Sequence, residues 1–348
     1  MSQLLERKPY SVRDDSQFLK EMQALTTHHQ NGCVPYQAMT QNHPTAQSVA
    51  ELPYVHVGAF KHIALKTESE QIKHQRNLLS SATSSGISSI ISLDKKSSEL
   101  QSKSVLSILK DFVGDKRRPL LILDSAASLR SRGRVSARIA AALGLQPLST
   151  EIHFLLKDIN DPNTMQWETV LKVLESNDDI LVYGFTWILW LAWGNAHIPQ
   201  NVQEALRGKK IHFVHSGGWK KLEGSKVNFE SFNSALLTDL HKDSQVIDYY
   251  GLVEQIGIIY PLCAHGSRHV PLWADIIVRD PWTLKPMEQG VGQLQLMNLL
   301  AHGAPYHSVL TEDMGQLLHG ECACGRKGKR FELLGRIPKA ETRGCSNV

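Results

Sequence analysis

Tyr250, Gly251, Leu252, Val253 and Glu254 follow the strand-like run SQVIDYY, and their types suit a nucleotide site. The aromatic ring can stack on adenine, and the glycine lets the backbone approach the nucleotide. The glutamate can hold a magnesium ion on ATP phosphates. Other segments offer related chemistry. Thr83, Ser84, Ser85 and Gly86 lie in the small-residue tract LSSATSSGISS. Hydroxyls and unobstructed backbone amides can wrap a triphosphate, and the same composition also describes a serine-rich linker. Ser216, Gly217 and Gly218 follow the strand IHFV, where open α/β sheets bind ligands; an ordinary tight turn has the same residues. In TEDMG, Asp313 is a carboxylate able to hold ribose hydroxyls, or a plain turn aspartate.

Cys322 and Cys324, one residue apart beside Gly325, suit a soft cation such as zinc. A zinc site needs about four ligands, and Cys263 and His269 lie upstream, with His265 as a substitute. A pair of small core residues is the other reading of the two thiols. Four protein ligands would make the zinc structural rather than catalytic. Cys345 stands in the polar tail ETRGCSNV beside Gly344 and Arg343; it is a reactive thiol or an incidental surface one. Arg130, Arg132, Arg134 and Arg138 are expected in one helix, as a face for an acidic carrier protein or simply a solvated one.

The elements that must position these residues alternate. RPLLILD, DDILVYG, KKIHFVHSGG and SQVIDYYG read as strands. SRGRVSARIAAALGL, TMQWETVLKVLES and FTWILWLAW read as helices, which implies a mainly parallel sheet. After Pro261 the pattern changes. WADIIVRD and GQLQLMNLL look like strands, and the alternation in GQLQL predicts an antiparallel, half-exposed sheet. The expected organisation is a polar lead-in (1–50), an α/β nucleotide- and acyl-binding body (51–262), a β-rich subdomain with the zinc site (263–336) and a flexible tail (337–348).

Composition bounds the function. The chain has 348 residues, 42% of them hydrophobic, and a formal charge of +4. No basic stripe with interleaved aromatics points to nucleic acid. The apolar run from Ile180 to Trp193 is too short to span a bilayer. Glu6, Arg7 and Lys8 without an apolar core argue against a secretory signal, and five unevenly spread cysteines suit a reducing cytoplasm.

The succession of the Ser/Thr/Gly loop, SGGWK, YYGLVE, DPWTLKPMEQGVGQL, TEDMG and LLGR resembles the acyl- and aryl-adenylating superfamily of acyl-CoA synthetases, phenylacetate-CoA ligases and firefly luciferase. LPYVHVGAFK, TSSG, SGGWKK, RHVPLW, DPWTLKP, TEDMG and the terminal RGC are most similar to the acyl-protein synthetases of bacterial bioluminescence. Cys263, His269 and CACGR resemble zinc-carrying relatives of phenylacetate-CoA ligase. The resemblance implies that Thr83 to Gly86 cradle phosphates, that Ser216 to Gly218, Tyr250 and Gly251 frame adenine, and that Glu254 binds magnesium. It implies Asp313 on the ribose, Arg336 at the hinge, and Gly184 and Phe185 lining the acyl pocket. The implied reaction joins a carboxylic acid to ATP as acyl-AMP. The acyl group then passes to a thiol: Cys345, a carrier-protein pantetheine or coenzyme A, with an acyl-transfer or reductase partner. The phosphate loop departs from Thr-Thr-Gly and its following lysine, and Ile87, Ser88 and Ser89 stand there. Only twelve residues follow Arg336, so the usual lid domain with its catalytic lysine is expected to be absent, and Lys220 is the substitute cation. The alternative is a non-catalytic relative that binds an acyl group, a nucleotide or a partner protein.

Overall fold

The computed structural model describes residues 3–79, 88–130, 134–219 and 224–337. Thr83, Ser84, Ser85, Gly86, Lys220 and Cys345 lie outside them, as does Arg132.

Among the described residues, five strands run parallel in the spatial order Gln245–Tyr250, Lys210–Ser216, Asp179–Phe185, Arg118–Ile122, Ser149–Phe154. Tyr260–Pro261 adds antiparallel to the Gln245–Tyr250 edge. Arg118–Ile122 is buried at every residue, and Asp179–Phe185 at all but its ends. Both faces of this sheet are covered, so its central strands are continuous apolar runs rather than alternating ones. One face packs Leu121, Ile180, Val182 and Phe213 against Val170, Leu174, Ile188, Val202 and Leu236 of the helices. The opposite face packs Leu120, Ile122, Leu181 and Val214 against Leu100, Ile108 and Leu109 of the Lys95–Val113 helix. That helix starts at Asp94, whose side chain accepts from Ser97 N, and stops at Gly114 (φ 76°).

A second sheet takes the strands from Arg268 onward. Its order is Arg268–His269, Arg330–Arg336, Ser308–Leu318, Gly292–Asn298, Ala274–Arg279, Pro286–Met287, all antiparallel. Val55–His56 pairs in parallel with Ser308–Leu318. Ile276, Leu294 and Leu296 share one core with the Leu120 face of the parallel sheet. A third sheet joins Ile90–Asp94, His74–Leu79 and Arg134–Ser136.

Two expectations are corrected. Gly292–Asn298 is not half-exposed but buried throughout. Its polar face is satisfied internally: Gln293 Nε2 donates to Thr311 O (2.6 Å), and Gln295 bridges Arg279 Nε (2.6 Å) and Ser308 Oγ (2.9 Å). The segment around Arg134 is not helical. Arg134–Ser136 is drawn into parallel pairing with His74–Leu79, and the helix begins only at Ala137, so Arg134 and Arg138 do not share one helix. The polar first fifty residues include helices packed on the body. Asp15–Gly32 and Val34–Thr40 are helices, and Leu4, Leu5, Phe18 and Met22 are buried in the main core. None of the described helices is long and apolar enough to cross a membrane.

Candidate active site and metal centre

Parallel strands leave the carboxyl ends of several segments side by side, and Gly184, Phe185, Ser216 and Tyr250 lie at those ends. Gly184 is in register with His215, Phe185 with Ser216, and His215 with Asp248. Gly217 and Gly218 follow with φ of 86° and 62°, a region that disfavours side chains. A Cβ on Gly217 would meet the Phe185 ring at 3.0 Å, so the glycine lets the turn close over that ring. Thr186, the first residue after Phe185, ties the two strand ends: its hydroxyl donates to Ser216 O (3.1 Å) and lies 3.0 Å from His215 Nδ1.

Next along the edge, Tyr250 closes its strand and meets the other sheet. Its phenol donates to Asp313 Oδ2 at 2.7 Å, and Arg336 Nε donates to Asp313 Oδ1 at 3.3 Å. Asp313 and Arg336 are register partners on neighbouring strands. One face of the Tyr250 ring stacks on Tyr260, with centroids 5.9 Å apart and planes at 26°. Burial raises the Asp313 carboxyl above its ordinary value, against the pull of Tyr250 and Arg336. Residues 63 positions apart are thus one polar unit.

Glu254 sits in a single helical turn, Val253–Gln255, with 5% exposure. Burial raises its carboxyl; a hydrogen bond with Ser89 and the charge of Lys61 oppose that rise. Ser89 ends the small-residue tract, so the far end of that tract reaches the Glu254 carboxylate. A buried carboxylate is a fitting anchor for a divalent cation. The neighbour Gln255 is fully buried, donates to Tyr306 O (2.6 Å) and accepts from Asn298 Nδ2 (2.9 Å), which fixes the turn.

The expected metal ligands also converge. The ligand atoms of Cys263, His269, Cys322 and Cys324 all lie within 4.8 Å of one another. Two glycine turns make this possible. Gly266 (φ 71°) reverses the chain between Cys263 and His269, and Gly325 (φ 79°) donates its N–H to Cys322 O at 2.9 Å. Cys263 Sγ and Cys322 Sγ are 3.8 Å apart, and Cys324 Sγ is 3.2 Å from His269 Nε2. Two Zn–S bonds of about 2.3 Å at a tetrahedral angle hold their sulfurs about 3.8 Å apart. Burial, then Arg326 and Arg330, lower His269 to about 4, which leaves the ring neutral and able to ligate. His265 is exposed and is not among the four. The turn is clamped from outside by Arg326, which donates to Asp111 Oδ1 (2.7 Å) and lies 3.8 Å over the Phe112 ring.

Sequence reasoning missed the supports: Ser89 on Glu254, Thr186 on His215, and Arg268, which pairs with Asp248 and donates to Tyr260 O at 2.7 Å. Arg268 stands in the RHVPLW string, but no spacing rule links it to Asp248, twenty residues upstream.

The profile of the acyl-protein synthetase family LuxE matches residues 3–348. Long-chain-fatty-acid–luciferin-component ligase of Aliivibrio fischeri is 25% identical over 180 residues, covering 51% of this chain and 47% of that protein. The Vibrio harveyi protein of the same name is 28% identical over 142 residues, covering 40% and 36%. The matched stretch thus spans half or less of each relative. An open-conformation crystal structure of 2-hydroxyisobutyryl-CoA ligase, in complex with 2-HIB-AMP and CoA, shares the fold with a TM-score of 0.66 at 14% identity. The likeness covers 93% of this chain and 75% of that one. With the family profile matched along nearly its whole length, the chain belongs to the LuxE acyl-protein synthetase family.

Proposed function

We propose that this protein activates a carboxylic acid with ATP and passes the acyl group to a thiol. A carboxylate oxygen attacks the α-phosphorus of ATP and pyrophosphate leaves, giving acyl-AMP. A thiolate then attacks the acyl carbon and AMP leaves, giving a thioester. The observation that carries this reading is the Tyr250–Asp313–Arg336 unit beside the Ser216–Gly218 turn and the buried Glu254. It supports an aromatic surface at Tyr250 for adenine, with Gly251 and Ser216 to Gly218 admitting the base. Asp313 then accepts from the ribose hydroxyls, and Arg336 balances the Asp313 charge. Glu254 would hold magnesium, which supplies charge neutralisation at the phosphates when bound. Gly184 and Phe185 are assigned to the acyl pocket, Thr83 to Gly86 to the phosphates and Lys220 to the phosphate charge. The thiol is Cys345, a carrier-protein pantetheine or coenzyme A.

The positions of Cys263, His269, Cys322 and Cys324 support a structural zinc, since four protein ligands leave no open coordination position. Bound there, zinc would cross-link the turn before Arg268–His269 to the loop before Arg330–Arg336.

Trapping tests the reaction. With the full chain, ATP, magnesium and a panel of aliphatic and aromatic acids, hydroxylamine should release a hydroxamate from at least one acid. Mass mapping then locates the thioester. An adduct on Cys345 that is lost in Cys345→Ser makes the tail the carrier. Full transfer to pantetheine or coenzyme A by Cys345→Ser makes the free thiol the acceptor. No hydroxamate with any acid would sink the proposal.

A further inference from the structure

His215 is 4% exposed at the carboxyl end of the Lys210–Ser216 strand, and its Nε2 has no hydrogen-bond partner among the described residues. The surrounding contacts fix its tautomer. Thr186 has one hydroxyl proton, and the Ser216 carbonyl, 3.1 Å away, can only accept it. With that proton on Ser216 O, the Thr186 oxygen accepts from His215 Nδ1 at 3.0 Å, which places the ring proton on Nδ1. Asp248 Oδ1, 3.9 Å from Nδ1, favours the same placement. Burial, with the charge of Arg268 adding to it, holds the ring neutral against the pull of Asp248. Nε2 is then a bare lone pair inside the protein.

Its neighbourhood is apolar and aromatic. The Phe232 ring lies 4.9 Å from the imidazole centroid, and Trp190 stacks on Phe232 with Trp219 edge-on. Gly184, its register partner, and Phe185, which packs under Gly217, are the residues assigned above to the acyl pocket. Leaving a buried acceptor unmet costs roughly 1–3 kcal/mol, a cost that a donor on a bound molecule would relieve.

We infer that His215 Nε2 accepts a hydrogen bond from the acid being activated, and that the substrate class is a carboxylic acid carrying a hydroxyl or N–H donor rather than a plain alkyl acid. The inference rests on the adenylating reading and deepens it. Thr186 is a positioning residue: it holds the imidazole in the accepting tautomer. A pocket built around an acceptor discriminates strongly against a ligand without the donor, because the lone pair is then buried unmet.

The test compares matched acids with the full chain: 4-hydroxybenzoate against benzoate, and 3-hydroxydecanoate against decanoate. The readout is kcat/KM in carboxylate-dependent ATP–pyrophosphate exchange. Wild type should favour the donor-bearing member of at least one pair by about tenfold or more. The ratio should fall to near 1 in His215→Phe and be partly kept in His215→Gln, whose amide oxygen can accept. The same ratio in wild type and His215→Phe would overturn the inference while leaving adenylation standing; exchange with no acid would overturn both. Nitrogen-15 NMR of the full chain reads the ring directly, so the test survives if His215→Phe does not fold. Nδ1 protonated and Nε2 bare is the expected state, and an Nε2-protonated ring would refute the inference.

Discussion

Replacing Cys263 by serine removes one of four ligand atoms that lie within 4.8 Å of one another. Arg268–His269 is a two-residue strand at the sheet edge, paired with Phe331 and Arg330 and bridged to Leu262 through Arg268. Zinc would join it to the Cys322–Cys324 turn by bonds to both sides. A metal that binds only the folded state stabilises by RT ln(1 + [M]/Kd), about 4 kcal/mol at a thousandfold excess over Kd. At roughly 2 °C per kcal/mol for a chain above 200 residues, the loss is about 8 °C in melting temperature. Elemental analysis of protein purified without chelator should give one zinc per wild-type chain and a much smaller amount in Cys263→Ser. Thermal denaturation should show the same drop in the variant and in wild type stripped of metal. Wild type without zinc, or a melting temperature unmoved by stripping, would refute the cross-link.

Glu254→Gln should slow magnesium-dependent exchange by about 100-fold or more, since the anionic ligand proposed for magnesium is lost. Because burial raises the metal-free Glu254 carboxyl, it takes up a proton on acidification before an ordinary glutamate does, so the chain's magnesium affinity should already be falling above pH 4.5; an affinity unchanged from pH 7 down to pH 4.5 contradicts the assignment. Arg13→Ala leaves Asp275, whose side chain is 1% exposed, with Lys329 at 2.7 Å as its remaining cation, in place of Lys329 and Arg13 at 2.5 Å. The expected loss is about 3 kcal/mol in urea denaturation, and a loss below about 0.5 kcal/mol would contradict a structural pair. His29 and His307 stack with centroids 4.8 Å apart, and both are lowered from 6.5 by burial, His307 to about 3. Their contribution to stability is full above pH 6.5 and is lost as pH falls below it, by at most about 2.7 kcal/mol per pH unit for two protons. A melting temperature equal at pH 7 and pH 5 would count against this pair.

The parallel sheet was legible because its strands are apolar runs of the right length between helical periods. The Cys263, His269, Cys322 and Cys324 cluster was legible because thiol spacing is rare and chemically narrow. The antiparallel sheet was legible as strands but not in its burial. Gln293 and Gln295 look like solvent-facing residues, and only their internal partners Thr311, Arg279 and Ser308 make them core. The helix around Arg134 was misjudged because a parallel partner at residues 77–79 outweighed local helical preference. Contacts such as Ser89 with Glu254 or Tyr250 with Asp313 join distant segments, and no local pattern encodes them.

Carboxylate-dependent ATP–pyrophosphate exchange with the full chain, run with and without magnesium, tests the adenylating reading most directly. At least one acid should support exchange that requires magnesium and that drops sharply in Asp313→Asn, which weakens the acceptor beside Tyr250 that is proposed for the ribose. Folded wild-type protein that shows no exchange with any acid, or exchange untouched by Asp313→Asn, would contradict it.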